Sequence, residues 1–183
     1  MTNSDNLKGL GGWLILVGIG VVISPIRLLI EFIPLYTEIF TEGHYELLTT
    51  PGTEVYDVLW APFIIGELVF NAAMVIATIY LIYLYFSKHY LFPKVYIGII
   101  LASLIFIPFD AWVGSFVIEG EPMFTPDIIK ELVRSAISAL VWIPYMLSSV
   151  RVDQTFVEHR PVRVGRSLGE DAVMMAAASS RNQ

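Results

Sequence analysis

The chain of 183 residues is too apolar for a water-soluble domain of its size: 56% of its residues are hydrophobic, 15% are charged and the mean hydropathy is +0.68. This composition excludes ordinary soluble and disordered classes and indicates an integral membrane protein. The formal net charge of -6 gives no reason to expect a nucleic-acid partner, and the absence of cysteine excludes a disulfide framework, a thiolate nucleophile and a cysteine-based metal site.

Four apolar stretches are long enough to cross a hydrocarbon core of roughly 30 Å, which needs about 20 helical residues. They cover residues 10–33, 60–85, 95–117 and 128–150. The first stretch is too long for a secretory signal and carries Arg27, so we expect it to be retained. The sequence therefore predicts an all-α integral membrane domain over residues 1–157 with four transmembrane helices, and a tail over residues 158–183.

Basic residues lie on one side of these stretches. The segments 34–58 and 118–127 contain no Lys or Arg, whereas Lys88 and Lys94 lie in the turn between the second and third stretches. Lys8 precedes the first stretch, and the last one is followed only by arginines among the basic residues. Because basic flanks disfavour translocation, both termini are predicted to be cytoplasmic, in an inner membrane of bacterial type.

The tail is predicted to be a basic strap followed by disorder. The basic strap begins at Arg151, directly after the last stretch, and continues in the tail with Arg160, Arg163 and Arg166. Electrostatic attraction to anionic lipid headgroups accounts for such a cluster beside a membrane. Docking of a cytoplasmic partner is the alternative.

Each predicted helix contains one ionisable residue well inside its apolar stretch, where a charge costs about 2.5–3.5 kcal/mol by insertion scales. These residues are Arg27, Glu67, Asp110 and Arg134. A rise of 1.5 Å per residue brings all four to one depth, about a third of the way in from the outer side. Further polar residues lie one turn away and extend this layer: Glu31, Asn71 and Lys130.

Two interpretations of this polar layer remain open. The residues could form interhelical salt bridges that fix which helices meet. Alternatively, they could line a pocket that opens to the outer face and binds a small ligand or ion. Pro25 and Pro108 each stand two residues before a charge, and helix breaks beside ionisable groups are typical of transporters. A small transporter or channel, as a homo-oligomer or with a membrane-protein partner, is therefore the rival of a non-enzymatic bundle accessory to an envelope system.

A short internal similarity suggests a repeat. Residues 67–69 and 131–133 both read Glu-Leu-Val, and the first and third stretches share the pattern Pro-x-charge. The chain could therefore consist of two parallel helical hairpins.

The first outer loop is predicted to form a short interfacial helix, because Leu35, Ile39 and Leu47 have roughly helical spacing. Its acidic residues and His44 are interpreted as solvated groups, so no metal ligand is assigned. The sequence has no catalytic signature: no His-Glu-x-x-His, no Gly-x-Ser-x-Gly and no phosphate-binding glycine loop. We therefore expect neither an enzyme nor a cofactor.

Three motifs resemble a bacterial family of small inner-membrane proteins that is catalogued only as a domain of unknown function. They are Leu10-Gly11-Gly12-Trp13-Leu14, Ser24-Pro25-Ile26-Arg27 and Trp142-Ile143-Pro144-Tyr145 with the following Ser149-x-Arg151-Val152. The resemblance covers roughly residues 8–157. It implies a four-helix membrane protein and no established activity.

Overall fold

The computed structural model describes residues 9–118, 120 and 122–159, and these residues form helices and no strand. The helices are α1 (Trp13–Thr41), α2 (His44–Thr49), α3 (Trp60–Phe86), α4 (Phe92–Val117), α5 (Pro126–Ser148) and α6 (Val150–Thr155). Within this part of the chain, α1, α3 and α4 are long and apolar enough to cross a membrane. The prediction of an all-helical membrane fold is confirmed at this level.

The helix α5 differs in character from these three. Its 23 residues would extend about 35 Å at 1.5 Å per residue, which is enough to cross a bilayer. Its first turns, however, carry Asp127, Lys130, Glu131 and Arg134, so its apolar stretch is shorter. The fourth span therefore stays a prediction.

The helix α1 continues to Thr41, past the predicted end at residue 33. Pro34 lies inside this helix. A proline removes one backbone hydrogen bond and can bend a helix without ending it. The interfacial helix predicted in the first outer loop is thus partly wrong. Leu35 and Ile39 extend α1, and the separate helix α2 begins only after Gly43, whose φ is 79°.

The long helices pack in the order α1, α3, α4 and α5, each mainly on its neighbour in this row. The arrangement as two parallel repeats stays a prediction. The predicted tail arginines Arg160, Arg163 and Arg166 lie outside the described residues, as do Glu119 and Glu121 of the second outer loop.

Most of the deeply buried apolar side chains converge at one end of the bundle. The cluster includes Leu14, Val17, Val21, Leu84, Tyr85, Phe92, Met146 and Phe156. The rings of Phe92 and Phe156 stack with centroids 4.3 Å apart, and the Tyr85 hydroxyl donates a hydrogen bond of 2.7 Å to the Leu14 carbonyl. The end predicted to face the cytoplasm is therefore densely packed.

The segment around α6 packs against this cluster and contacts the residues that precede α1. The Thr155 hydroxyl accepts from the Gly9 N–H at 3.2 Å and lies 3.3 Å from the Gly9 carbonyl, to which it can donate. The Arg151 guanidinium lies against Gly11, where a Cβ would be 2.6 Å from Nη1. Beyond α6, the backbone of Glu158 forms a β-bridge with His89 in the turn between α3 and α4. Backbone and side-chain contacts thus close the inner end.

The contact between Gly18 and Tyr85 gives a direct test of this packing. A Cβ at Gly18 would lie 2.5 Å from the Tyr85 Oη and 2.7 Å from Cζ. Because the ring is buried and its hydroxyl is bonded to Leu14, it cannot move aside without loss of that bond. We expect Gly18→Ala to lower the free energy of unfolding by about 1–3 kcal/mol, measured as thermal unfolding in detergent.

Gly20→Ala is the matched control. It lies in the same helix and has nothing within 4 Å of the position of its Cβ. Alanine is preferred over glycine inside a helix by roughly 0.5–1 kcal/mol, so this variant should unfold at the wild-type temperature or above. Equal unfolding temperatures for the two variants would contradict the packing.

Candidate ligand site: an acidic cavity between the helices

A cavity of about 240 Å³ lies between α1, α3, α4 and α5, beyond the inner cluster. Its wall on α1 is formed by Leu28 and Phe32, which are four residues apart and so share one helix face. Its polar lining consists of Glu67, Asn71, Ser103, Asp110 and Glu131. Acidic residues of three helices therefore border one space, with Glu67 and Asp110 half-buried and Glu131 exposed at its edge.

Glu67 and Asp110 are the central pair of this cavity. Both residues are partly buried, and their carboxyl groups lie within hydrogen-bonding reach of each other. An ionised carboxylate only accepts hydrogen bonds, so a bond between the two uses one proton. Glu131 lies close enough to act electrostatically on Asp110. The cavity is thus acidic even when the pair holds a proton.

The predicted salt bridges between helices are not formed by the described residues, and this part of the prediction is wrong. Arg27 Nε lies 2.8 Å from Glu31 Oε1 in its own helix, with the two side chains 49% and 47% exposed. Arg27 and Glu31 each precede a cavity residue, Leu28 or Phe32, by one position. One position rotates a side chain by about 100° around the helix, so this pair faces outward.

The basic residues of α5 also lie outside the cavity. Lys130 and Arg134 are exposed, and neither forms an ion pair with any residue that the structure describes. Glu131, next to Lys130 in sequence, is the residue that lines the cavity. Of the predicted polar layer, the structure brings together Glu67, Asn71 and Asp110.

Two polar residues near the centre of the site were not among the predicted site residues. Glu131 belongs to the Glu-Leu-Val repeat, and its alignment with Glu67 in that repeat is the signal that could have identified it. Tyr36 was assigned to the outer loop because α1 was predicted to end before it. The Asn71 Nδ2 donates a hydrogen bond of 2.9 Å to the Tyr36 hydroxyl, which joins α3 to α1 beside the cavity.

The carboxyl pair also borders a second cavity of about 200 Å³ on its outer side. This space is lined by Gly114, Ser115 and Thr125 at the junction of α4 and α5. The opposite end of the bundle is filled by the cluster of Leu14, Tyr85 and Phe92. The pair is therefore approached from the end of the bundle opposite to this cluster.

Aromatic rings stand beside the carboxyl groups. Phe70 and Phe106 stack with centroids 3.5 Å apart and ring planes 4° apart, and both line the acidic cavity. They lie one helical turn from Glu67 and Asp110 respectively. Acidic and aromatic residues in one lining suit a cation, because carboxylates and aromatic rings both attract positive charge.

A separate group of possible ligand atoms lies at the outer end of α1. Ligand atoms of Glu38, Glu42 and His44 lie within 4.8 Å of one another, and all three residues are exposed. His44 Nε2 is 3.6 Å from Glu42 Oε2. Exposed acidic groups commonly occur without a metal, so we assign none here.

Comparison of the chain with curated proteins and with solved structures returned no match. A family model described as a protein of unknown function, DUF2569, matches residues 7–157. That match covers all six helices, including the residues of the acidic cavity and of the inner cluster. The chain therefore belongs to the DUF2569 family.

Proposed function

We propose that the protein is a non-enzymatic membrane protein that binds a small organic cation in its acidic cavity, from the outer side. The observation that carries this proposal is the composition of the cavity wall. Glu67, Asp110 and Glu131 line it, and no basic side chain of the described residues does. The fixed charge of the cavity is therefore negative and lacks a partner within the described protein.

The energetics of a membrane environment favour a cationic ligand. A carboxylate near the bilayer centre costs about 2.5–3.5 kcal/mol by insertion scales. A proton shared by Glu67 and Asp110 removes one charge, but Glu131 and the remaining carboxylate still repel each other. A cation placed among them replaces this repulsion with attraction in a medium of low dielectric constant.

The lining favours an ammonium group over a bare metal ion. An ammonium donates several hydrogen bonds, and the carboxyl groups and Ser103 of the cavity supply acceptors for them. The aromatic residues Phe32, Phe70 and Phe106 line the same space, and an aromatic lining suits organic ammonium ions through cation–π attraction. A primary amine in its protonated form fits both features.

The placement in the membrane is part of the same proposal. A cytoplasmic position of the turn between α3 and α4 is favoured by Lys88 in this turn and by Lys94 in the first turn of α4. The backbone of Glu158, after α6, forms a β-bridge with His89 in that same turn. This contact supports α5 as the fourth span and a cytoplasmic position for both termini, in a bacterial inner membrane and as an accessory to an envelope system.

A small secondary transporter is the second candidate. It is favoured by the cavities on two sides of the Glu67 and Asp110 pair, one towards the outer end and one deeper in the bundle. Alternating access places a charged site between two such spaces. Transport additionally requires the inner cluster around Tyr85 to open.

Removal of single carboxyl groups tests the binding site. We expect ethylammonium chloride to raise the unfolding temperature of the wild-type protein in detergent more than sodium chloride does, because a ligand of the folded state stabilises it. Glu67→Gln, Asp110→Asn and Glu131→Gln should each weaken ethylammonium binding roughly ten- to a hundredfold, the equivalent of one charge-assisted hydrogen bond.

Glu38→Gln serves as the control, because Glu38 is an exposed acidic residue on α1 outside the cavity. It should bind ethylammonium as the wild-type protein does. If sodium stabilises the wild-type protein as strongly as ethylammonium, or if the control loses as much affinity as the cavity variants, the proposed site is wrong.

A flux measurement distinguishes the binding protein from the transporter. In proteoliposomes, a transporter should accumulate labelled ethylammonium along an imposed ion gradient, and Glu67→Gln or Asp110→Asn should abolish this flux without lowering the amount of folded protein. The proposed binding protein retains ethylammonium binding and shows no flux above protein-free vesicles.

The membrane orientation can be measured with single cysteines, since the chain contains none of its own. We expect Thr50→Cys, between α2 and α3, to react with a membrane-impermeant maleimide in intact bacterial spheroplasts. Val157→Cys, after α6, should react only after lysis. Both positions are exposed. Labelling of Val157→Cys in intact spheroplasts would refute α5 as a fourth span or the cytoplasmic C-terminus.

A further inference from the structure

A groove of about 380 Å³ runs between α1 and α3 beside the acidic cavity. Its floor is apolar, formed by Leu29, Ile33, Leu68 and Ala72. These residues belong to α1 and α3, two of the three helices that are long and apolar enough to span a membrane, so the groove opens sideways towards lipid. It is suited to a hydrocarbon chain.

The groove and the acidic cavity share part of their walls. Phe32 and Asn71 line both spaces, so these two side chains separate them. Asn71 is held in place by its 2.9 Å hydrogen bond to the Tyr36 hydroxyl. A ligand that extends from one space into the other would therefore pass beside Phe32 and Asn71.

We propose that the cation bound by this protein is an amphiphilic amine, whose ammonium group lies among the carboxyl groups and whose alkyl chain lies in the groove between α1 and α3. This inference rests on the proposed function and assigns the class of its ligand. The chain leaves the cavity between Phe32 and Asn71.

Charge decides between a cationic amphiphile and an anionic membrane phospholipid. The head group of any molecule that fills the groove in this orientation would lie next to Glu67 and Asp110. A phosphate there would face carboxyl groups at short range and would be repelled, whereas an ammonium would be attracted. The acidic cavity therefore selects a positively charged head group.

The experiment compares octylamine, ethylamine and octanol as ligands of the full chain in nanodiscs of zwitterionic lipid. We expect wild-type protein to bind octylamine more tightly than ethylamine and to bind octanol weakly. Ala72→Trp fills the groove, and we expect it to weaken octylamine binding by roughly tenfold or more, as expected when methylenes lose a hydrophobic pocket. It should leave ethylamine binding unchanged, because Ala72 does not line the acidic cavity.

Ala73→Trp is the matched control for this substitution. Ala73 is the next residue of α3, is exposed and does not line the groove, so a tryptophan there adds the same bulk on the lipid side. We expect it to bind octylamine and ethylamine like the wild-type protein. The unfolding temperatures of both tryptophan variants without ligand verify that they fold.

The outcomes separate this inference from the proposed function. If Ala72→Trp binds octylamine as tightly as Ala73→Trp does, the chain does not lie in the groove and the inference is overturned. Octanol binding as tight as octylamine binding overturns it as well, because the groove is then an ordinary lipid site. The proposed function survives both results if Glu67→Gln still weakens ethylamine binding. It fails if neither amine binds the wild-type protein.

Discussion

The packing of Tyr85 on Gly18 is the contact on which the rest of the bundle depends. The ring occupies the space that a side chain at Gly18 would take, and its hydroxyl satisfies the Leu14 carbonyl of α1. This draws α1 and α3 together at the inner end, where Phe92 and Phe156 complete the cluster. Because the dense packing is concentrated there, the outer halves of the same helices can diverge around a polar space.

The sequence predicts the depth of intramembrane charges better than their direction. The rise per residue is nearly constant, so Glu67 and Asp110 are expected at one level, and both line the same cavity. Direction, however, changes by about 100° per residue. Arg27 therefore faces outward beside the cavity residue Leu28, and Lys130 faces outward beside Glu131. In a nearly uniform apolar stretch, the faces of the helix differ too little in hydrophobicity to show which one points inward.

The first and last sequence motifs that resemble the family lie at the inner end of the bundle and not at the cavity. Gly11 and Gly12 lie against the Arg151 guanidinium, so the first and last motifs of the chain meet in space. Gly9 and Thr155 are hydrogen-bonded beside them. Arg27, in the motif within α1, pairs with Glu31 on the outer surface of the bundle. The resemblance therefore predicts the helical membrane fold, whereas the cavity is seen only in the packing of α1, α3, α4 and α5.

The distribution of charge between the inside and the outside of the bundle favours ligand binding over a structural clamp. A clamp needs each buried carboxylate to face a cation on another helix, and the structure instead places Lys130 and Arg134 on the exposed side of α5. Long basic side chains reach the interface from such positions at little cost. Glu131 is exposed as well, but it also lines the cavity and acts electrostatically on Asp110. A cation bound between Glu131 and the pair of Glu67 and Asp110 would link α5 to α3 and α4 at the level where these helices carry like charges. Occupancy of the cavity would thus determine how firmly the most polar of the long helices is held against the others.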